Sequence, residues 1–258
     1  MLKHKFIPLV FIAIALAIWF IPDSRTGRFY FVYGFLGLVY LLFTIYGSYF
    51  IQANYFIDLL HHGNRQQKKI ALTFDDGPQP GFTAQVLDIL KEKQVPALFF
   101  LIGQNVKGNE GDLQRMDAEG HIVGNHSYSH NYWFSLKQTN NMLADIKLCD
   151  EEVMRVMRKQ PKLFRPPYGV TNPMVANAIR QGNYTGMGWS LRSYDTSAKD
   201  PDRLLNKILA KLKNGDVILL HEWGKYTIAI LPDLIDKSRK LGFEFVRADE
   251  LLGVEAYY

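Results

Sequence analysis

The chain has 258 residues, a net charge of +5 and one cysteine, Cys149. That length allows one ordinary domain plus an appendage, and a single cysteine excludes an intrachain disulfide. The positive balance suits an anionic membrane surface or wall polymer but is too weak to argue for nucleic acid, and no nucleic-acid partner is expected.

The first sixty residues differ in kind from the rest. FIPLVFIAIALAIWFI, residues 6–21, is an uncharged run behind Lys3 and Lys5, the pattern of a short span or of a signal-peptide core. No clear cleavage site follows, which favours a span. No residue from Phe29 to Ile57 is charged, and FYFVYGFLGLVYLLFTIYGSYF alone covers 22 positions. As a helix it would reach roughly 33 Å, against about 30 Å of hydrocarbon, and its aromatic ends suit the two interfaces. The expectation is an N-terminal transmembrane helical hairpin, about 6–22 and 29–51, joined by PDSRTGR and serving as a membrane anchor over residues 1–60. A buried core hairpin is the alternative. Counting Lys3, Lys5, Arg65, Lys68 and Lys69 against Arg25 and Arg28 would put both termini in the cytoplasm. A polar linker follows, residues 61–67 within HHGNRQQKK, where His61 and His62 are assigned no role.

From residue 68 to 258 short apolar runs alternate with helical stretches. KIALTF (69–74) reads as a buried strand, and PGFTAQVLDILKEKQV has apolar residues at helical spacing. ALFFLIG (97–103) is a strand, and GDLQRMDAEG a helix ending at a glycine cap. HIVGNH (121–126) precedes a long amphipathic helix at about 139–158, which carries Cys149 as a small core residue. KLFRPP (162–167) leads to a helix opening on the Asn172 cap and Pro173. YTGMGWSL (184–191), a helix near 201–213, DVILLHE (216–222), a helix near 227–240 and GFEFVRA (242–248) complete the series. Seven strand-like runs separated by helices imply a parallel sheet, either closed as a barrel or open and doubly wound. No helix opens on a phosphate-binding glycine pattern.

The unusual polar residues follow the C-terminal ends of these strands: Asp75 and Asp76, His126 and His130, Arg165 to Gly169, Asp195, and His221 with Glu222. In parallel α/β barrels those ends share the face that carries the active site. HSYSH (126–130) spaces two histidines to share one face of a helical turn. With an aspartate from another strand they would make a two-histidine, one-carboxylate site suited to catalytic Zn²⁺, with Fe²⁺, Co²⁺ or Ni²⁺ as alternatives. Such an ion accounts for the adjacent carboxylates of FDDGP, one a ligand and its neighbour free to act as a base beside the same cation.

TFDDGP (73–78), HSYSH (126–130), RPPYG (165–169) and LLH (219–221), in that order, resemble the polysaccharide deacetylase family, the NodB-homology domain of carbohydrate esterase family 4. The resemblance runs from Lys68 to the C-terminus. It implies a distorted (β/α)7 barrel and metal-dependent hydrolysis of acetyl groups on sugar polymers, usually N-acetylglucosamine. By motif position, Asp75 would be the base and Asp76, His126 and His130 the metal ligands. Arg165 would orient Asp75, the Tyr168 backbone N–H would help hold the oxyanion, and His221 would be the acid. Asp195 matches the aspartate that tunes the acid histidine, with a helix-entry cap as its rival role. Leu219, Pro167 and Trp223 are expected in the substrate pocket, although Trp223 reads equally well as a packed aromatic. Arg192 and Thr196 depart from the family pattern, which has aspartate and tryptophan there, so one groove wall should differ.

The expected protein is therefore a multi-pass, membrane-anchored N-deacetylase of an acetylated glycan, its catalytic domain extracytoplasmic because such polymers are, which outweighs the small charge excess that points the other way. An O-acetyl esterase on the same scaffold, a silent glycan-binding protein and a paired-carboxylate glycosidase are its rivals.

Overall fold

A computed structural model describes residues 4–21 and 27–258. The chain opens with two apolar helices, α1 (Ile7–Trp19) and α2 (Gly27–Tyr49). Then come β1 (Lys69–Gly77), α3 (Phe82–Lys93), β2 (Ala97–Leu101), α4 (Glu110–Ala118), β3 (Ile122–Asn125) and α5 (Thr139–Met157). The second half holds β4 (Leu163–Phe164), α6 (Pro173–Gln181), β5 (Thr185–Gly186), β6 (Leu191–Arg192), α7 (Pro201–Lys211), β7 (Val217–His221), α8 (Lys225–Lys240), β8 (Glu244–Phe245) and α9 (Ala248–Leu252).

The strands form one sheet in the order β5-β4-β3-β2-β1-β7-β6, with β8 paired to the start of β1. Every pairing among them is parallel. β1 lies at the centre and is buried almost throughout, as a strand covered on both faces must be. Side chains alternate across it. Ile70, Leu72 and Phe74 face the helices in the larger core cluster, while Ala71 joins Leu98, Phe100, Leu163 and Val217 in the barrel interior. Thr73 and Asp75 continue the interior row to the strand's end. Helix starts follow their sequence signals: the Asn172 side chain accepts the Val175 N–H at 2.8 Å and that of Asp200 the Arg203 N–H at 2.6 Å. Cys149 is buried in the core.

The sheet does not close, and the reason corrects the sequence reading. YTGMGWSL is two strands rather than one, which makes eight strands in place of seven. Its first part, β5, pairs with β4, and β6 just beyond it pairs with β7, at the opposite edge of the sheet. The chain before β1 occupies the opening. Leu60 donates its N–H to the Gly186 carbonyl at 3.0 Å and accepts the Gly188 N–H at 2.7 Å.

This insertion also moves the expected boundary of the anchor. α2 ends at Tyr49, and residues 51–60, expected as the end of the membrane anchor, pack on the barrel instead, with Ile51, Tyr55, Phe56 and Leu59 buried. Nor is the 61–67 linker free, since His62 bridges to Asp216 and Gly63 donates to the Gly215 carbonyl at 2.8 Å.

Among the described residues only α2 is long and apolar enough to cross a membrane, by length and composition. α1 lies along it, the Phe11 ring 5.5 Å from that of Tyr40, but its 13 residues reach only about 20 Å. Of the expected connector PDSRTGR, residues 22–26 lie outside the described residues, as do Lys3 and Arg25 of the charge count.

Candidate active site

The adjacent carboxylates reach one site because β1 bulges between them. Its register with β2 runs Asp75↔Phe100 and then jumps to Gly77↔Leu101, and Asp76 takes a positive φ of 71°. Without the bulge, successive side chains would point to opposite faces of the sheet. Gly77 beyond it makes room for Glu222, since a Cβ there would lie 1.8 Å from a carboxyl oxygen of that buried side chain and would displace it.

Asp75 is buried beside Arg165, which has no solvent exposure. Arg165 Nη1 donates to Asp75 Oδ1 at 2.6 Å and to Thr73 Oγ1 at 2.9 Å, and Nη2 donates to the Gly188 carbonyl at 2.7 Å. The guanidinium stacks 4.1 Å from the Phe100 ring. Burial disfavours its charge and the Asp75 carboxylate opposes that. One carboxylate oxygen is thus fixed and Oδ2 faces the cavity, 3.7 Å from His126 Nε2.

His126 and His130 converge on Asp76, though not from the helical turn their spacing suggested. They sit on a loop after β3 in which Ser127 and His130 have φ of 69° and 43°. Asp145, reaching over from α5, accepts the Tyr128 and Ser129 N–H groups at 2.8 and 2.9 Å and holds that loop. His126 Nδ1 lies 2.7 Å from the Arg165 carbonyl. A carbonyl only accepts, so Nδ1 carries the proton and Nε2 keeps its lone pair. Asp76 Oδ1 lies 3.6 Å from His126 Nε2 and 3.4 Å from His130 Nε2. Burial, and then His126, lower His130 to about 4 and keep it neutral.

The three residues each offer one ligand atom, all within 4.8 Å of one another. Two donors about 2.1 Å from a tetrahedral ion stand roughly 3.4 Å apart. The set, two imidazole nitrogens and one carboxylate oxygen with one imidazole already oriented, therefore fits a divalent cation.

Across the cavity His221 Nδ1 donates to Asp195 Oδ1 at 2.9 Å, and the His221 and Thr227 donors reach Oδ2 at 2.6 and 2.7 Å. The helix-cap alternative for Asp195 falls away, since its side chain caps no helix. Burial alone would raise Asp195, but these bonds outweigh it and hold the carboxyl below its usual range. Burial likewise opposes the imidazolium of His221, yet the bond and charge of Asp195 outweigh burial and raise it.

A cavity of about 210 Å³ joins these groups, walled also by Leu219, Tyr168 and Trp223. Trp223 Nε1 donates to Asp76 Oδ2 at 3.2 Å, so the residue touches the ligand set besides forming a wall. Tyr168 has φ of 59°, and beyond it a Cβ on Gly169 would lie 2.3 Å from the Trp189 ring. Pro167, expected in the pocket, is buried and does not line the cavity, because the turn presents Tyr168 and Gly169 instead. Arg192 and Thr196, the two departures from the family pattern, both line it. Sequence reading missed Trp189, which also lines the cavity and whose signal lay in an assigned strand-like run. Glu222, grouped with His221 in the sequence but given no role, lies behind the cavity wall and is fully buried.

The family model described as Polysaccharide deacetylase matches residues 62–187. A peptidoglycan-N-acetylglucosamine deacetylase of Bacillus cereus is 34% identical over 191 residues, 72% of this chain and 89% of that protein. A peptidoglycan-N-acetylmuramic acid deacetylase of Bacillus subtilis is 32% identical over 199 residues, 76% of this chain and 75% of its own length. Among solved structures, the chitin deacetylase of the fungus Colletotrichum lindemuthianum superposes with a TM-score of 0.73 at 27% identity, over 78% of this chain and 95% of that one.

Proposed function

The chain belongs to the polysaccharide deacetylase family, and from that premise we propose a membrane-anchored, metal-dependent hydrolase that removes acetyl groups from an N-acetylated glycan. The observation that carries this reading is the convergence of Asp76, His126 and His130 beside a separate carboxylate, Asp75, that Arg165 holds in place.

The ligands would be Asp76 Oδ1, His126 Nε2 and His130 Nε2, with Zn²⁺ the best match to that donor set. A bound divalent ion supplies Lewis acidity, polarising the acetyl carbonyl and acidifying water. Asp75 Oδ2 takes the proton of the attacking water while Arg165 keeps the carboxylate from turning away. The Tyr168 N–H donates to the oxyanion, an interaction typically worth ~10²–10³ in rate. His221, with Nδ1–H fixed on Asp195, hands the proton on Nε2 to the departing amine. Leu219 and Trp189 shield the acetyl methyl from water, and Trp223 bounds the sugar side.

The relatives' N-acetylated envelope and chitin polymers suggest an N-acetylglucosamine-type residue and an extracytoplasmic catalytic domain. For the anchor, α2 would span with α1 packed along it, and residues 68–258 would form the catalytic unit with residues 51–60 built into it.

The test is acetate release by the full-length protein from N-acetylated chito-oligosaccharides and peptidoglycan fragments, with and without a chelator and with Asp75→Asn. Both treatments should abolish release, restored in the chelated enzyme by Zn²⁺. Release indifferent to both sinks the mechanism.

A further inference from the structure

Almost no chain separates α2 from the barrel. Thr171 donates its N–H to the Ser48 carbonyl at 3.0 Å and its hydroxyl to that of Gly47 at 3.2 Å. Gln52 Nε2 donates to the carbonyls of Trp189 and Ser190 at 3.0 and 3.1 Å. The last turn of α2 is therefore fastened to the segments that wall the active-site cavity.

Between that turn and the barrel lies a second cleft of about 840 Å³. Tyr49 and Phe50, both exposed, stand at the end of the apolar helix, and Arg192, Lys211 and Lys213 supply its charge. The one acidic residue in its wall, Asp216, is buried and already paired with Arg65. None of Arg192, Lys211 and Lys213 has a carboxylate partner among the described residues. Arg203 and Lys207 continue the positive charge at four-residue intervals back along α7 from Lys211, on the same helix face. Trp189 and Arg192 belong to the walls of both this cleft and the active-site cavity.

Resting on the anchorage and chemistry proposed above, we infer that this cleft binds the phosphate of a lipid-linked N-acetylated saccharide, so that the substrate is a glycolipid on the membrane surface rather than a finished polymer. With α2 spanning, Tyr49 and Phe50 lie where aromatic residues meet the headgroups, and uncompensated cations at that depth attract anionic lipid groups. The cleft meets the apolar helix on one side and the acetyl-hydrolysing cavity on the other. A lipid phosphate and its first acetylated sugar can therefore be held together across the shared wall of Trp189 and Arg192.

The test uses the full-length protein in phosphatidylcholine nanodiscs, with acetate release measured on polyprenyl-diphosphate-linked N-acetylglucosamine and on a soluble chito-oligosaccharide. The lipid-linked sugar should give the higher kcat/KM by about tenfold or more. Lys211→Gln combined with Lys213→Gln should raise its KM by a similar factor, with kcat unchanged and soluble-sugar turnover retained; both lysines are exposed, so retained turnover also reports folding. An unchanged KM overturns the inference. So does inhibition by inorganic diphosphate as strong as by the glycolipid, which needs no lipid, or equal inhibition by phosphatidylglycerol, which needs no sugar. Turnover of the soluble sugar alone overturns the inference and leaves the deacetylase reading intact, while turnover of neither overturns that reading and this one with it.

Discussion

A base must keep one oxygen free while something else fixes its orientation, and Asp75 meets both conditions, with Oδ1 on Arg165 at 2.6 Å and Oδ2 facing the cavity. Asp75→Asn should lower kcat by ~10²–10⁴ while metal content, measured on the purified variant by elemental analysis, stays at the wild-type value. Loss of metal together with activity would make Asp75 a ligand instead. The partner behaves differently. Arg165→Met leaves a buried carboxylate unpaired, which typically costs about 3–5 kcal/mol, so this variant should lose stability as well as turnover. Thermal unfolding of the two variants side by side separates the roles. The acid has its own signature. Asp195 raises His221 above its ordinary 6.5 against the opposing effect of burial. The protonated acid therefore persists to higher pH than an ordinary imidazole would, and activity should fall as pH rises through that raised value. Asp195→Asn leaves burial opposed only by the smaller effects of Asp75 and Asp76, so the alkaline limb of kcat/KM against pH should move to lower pH. An alkaline limb that stays in place would remove His221 from the acid role.

At the scale of elements, the site depends on short connections that hold unusual backbone. Glu222 shows how tightly the turn after β1 is packed: its carboxyl lies against Gly77, accepts a hydrogen bond from Thr83 and leaves Oε1 without a partner. Burial raises this group from 4.5 to about 8, opposed by the bond from Thr83 and assisted by the nearby charges of Asp112 and Asp76. The folded protein therefore binds a proton that the unfolded chain releases above 4.5, and stability attributable to Glu222 declines as pH rises through about 8. Glu222→Gln should flatten that decline, which would be read from denaturant midpoints between pH 5 and ~9; parallel curves for variant and wild type would refute the assignment. Elements also show how far local pattern can be read. The carboxylate pair, the histidine pair, Arg165 and His221 were legible because each is a polar residue at the end of an apolar run, where the chemistry requires it. The left-handed conformations at Ser127 and His130 were not, because Asp145 imposes them from α5. The division of residues 184–191 between two sheet edges was also hidden, since β5 and β6 take their partners from β4 and β7, distant in sequence.

For the molecule as a whole, the missing information was what fills the gap between those edges. An uncharged run from Phe29 to Ile57 looks uniform, yet it divides at Tyr49 into an exposed apolar helix and a segment that completes the barrel. Composition cannot separate the two, because a bilayer and a protein core accept the same side chains. The structure separates them by partners. Ile51 lies beneath Gly188 and Leu59 beneath Gly186, where an added Cβ would come within 3.1 and 2.3 Å of their side chains. Leu60 takes its hydrogen bonds from the edge strand. The consequence is a sharp difference between two truncations. A fragment beginning at Ile51 keeps the plug and should fold. One beginning at Gln66 exposes Leu59 contacts and the 186–188 backbone, and forfeits several buried apolar side chains at ~1.5–3 kcal/mol each. It should therefore unfold at least ~5 °C lower or fail to accumulate in soluble form. The loss should be largest at the site's own wall, since Gly188 accepts from Arg165 and Trp189 lines the cavity. Calorimetry of both fragments, with acetate release on a soluble substrate, decides it. Equal unfolding temperatures and equal turnover would mean that residues 51–60 merely tether the barrel rather than complete it.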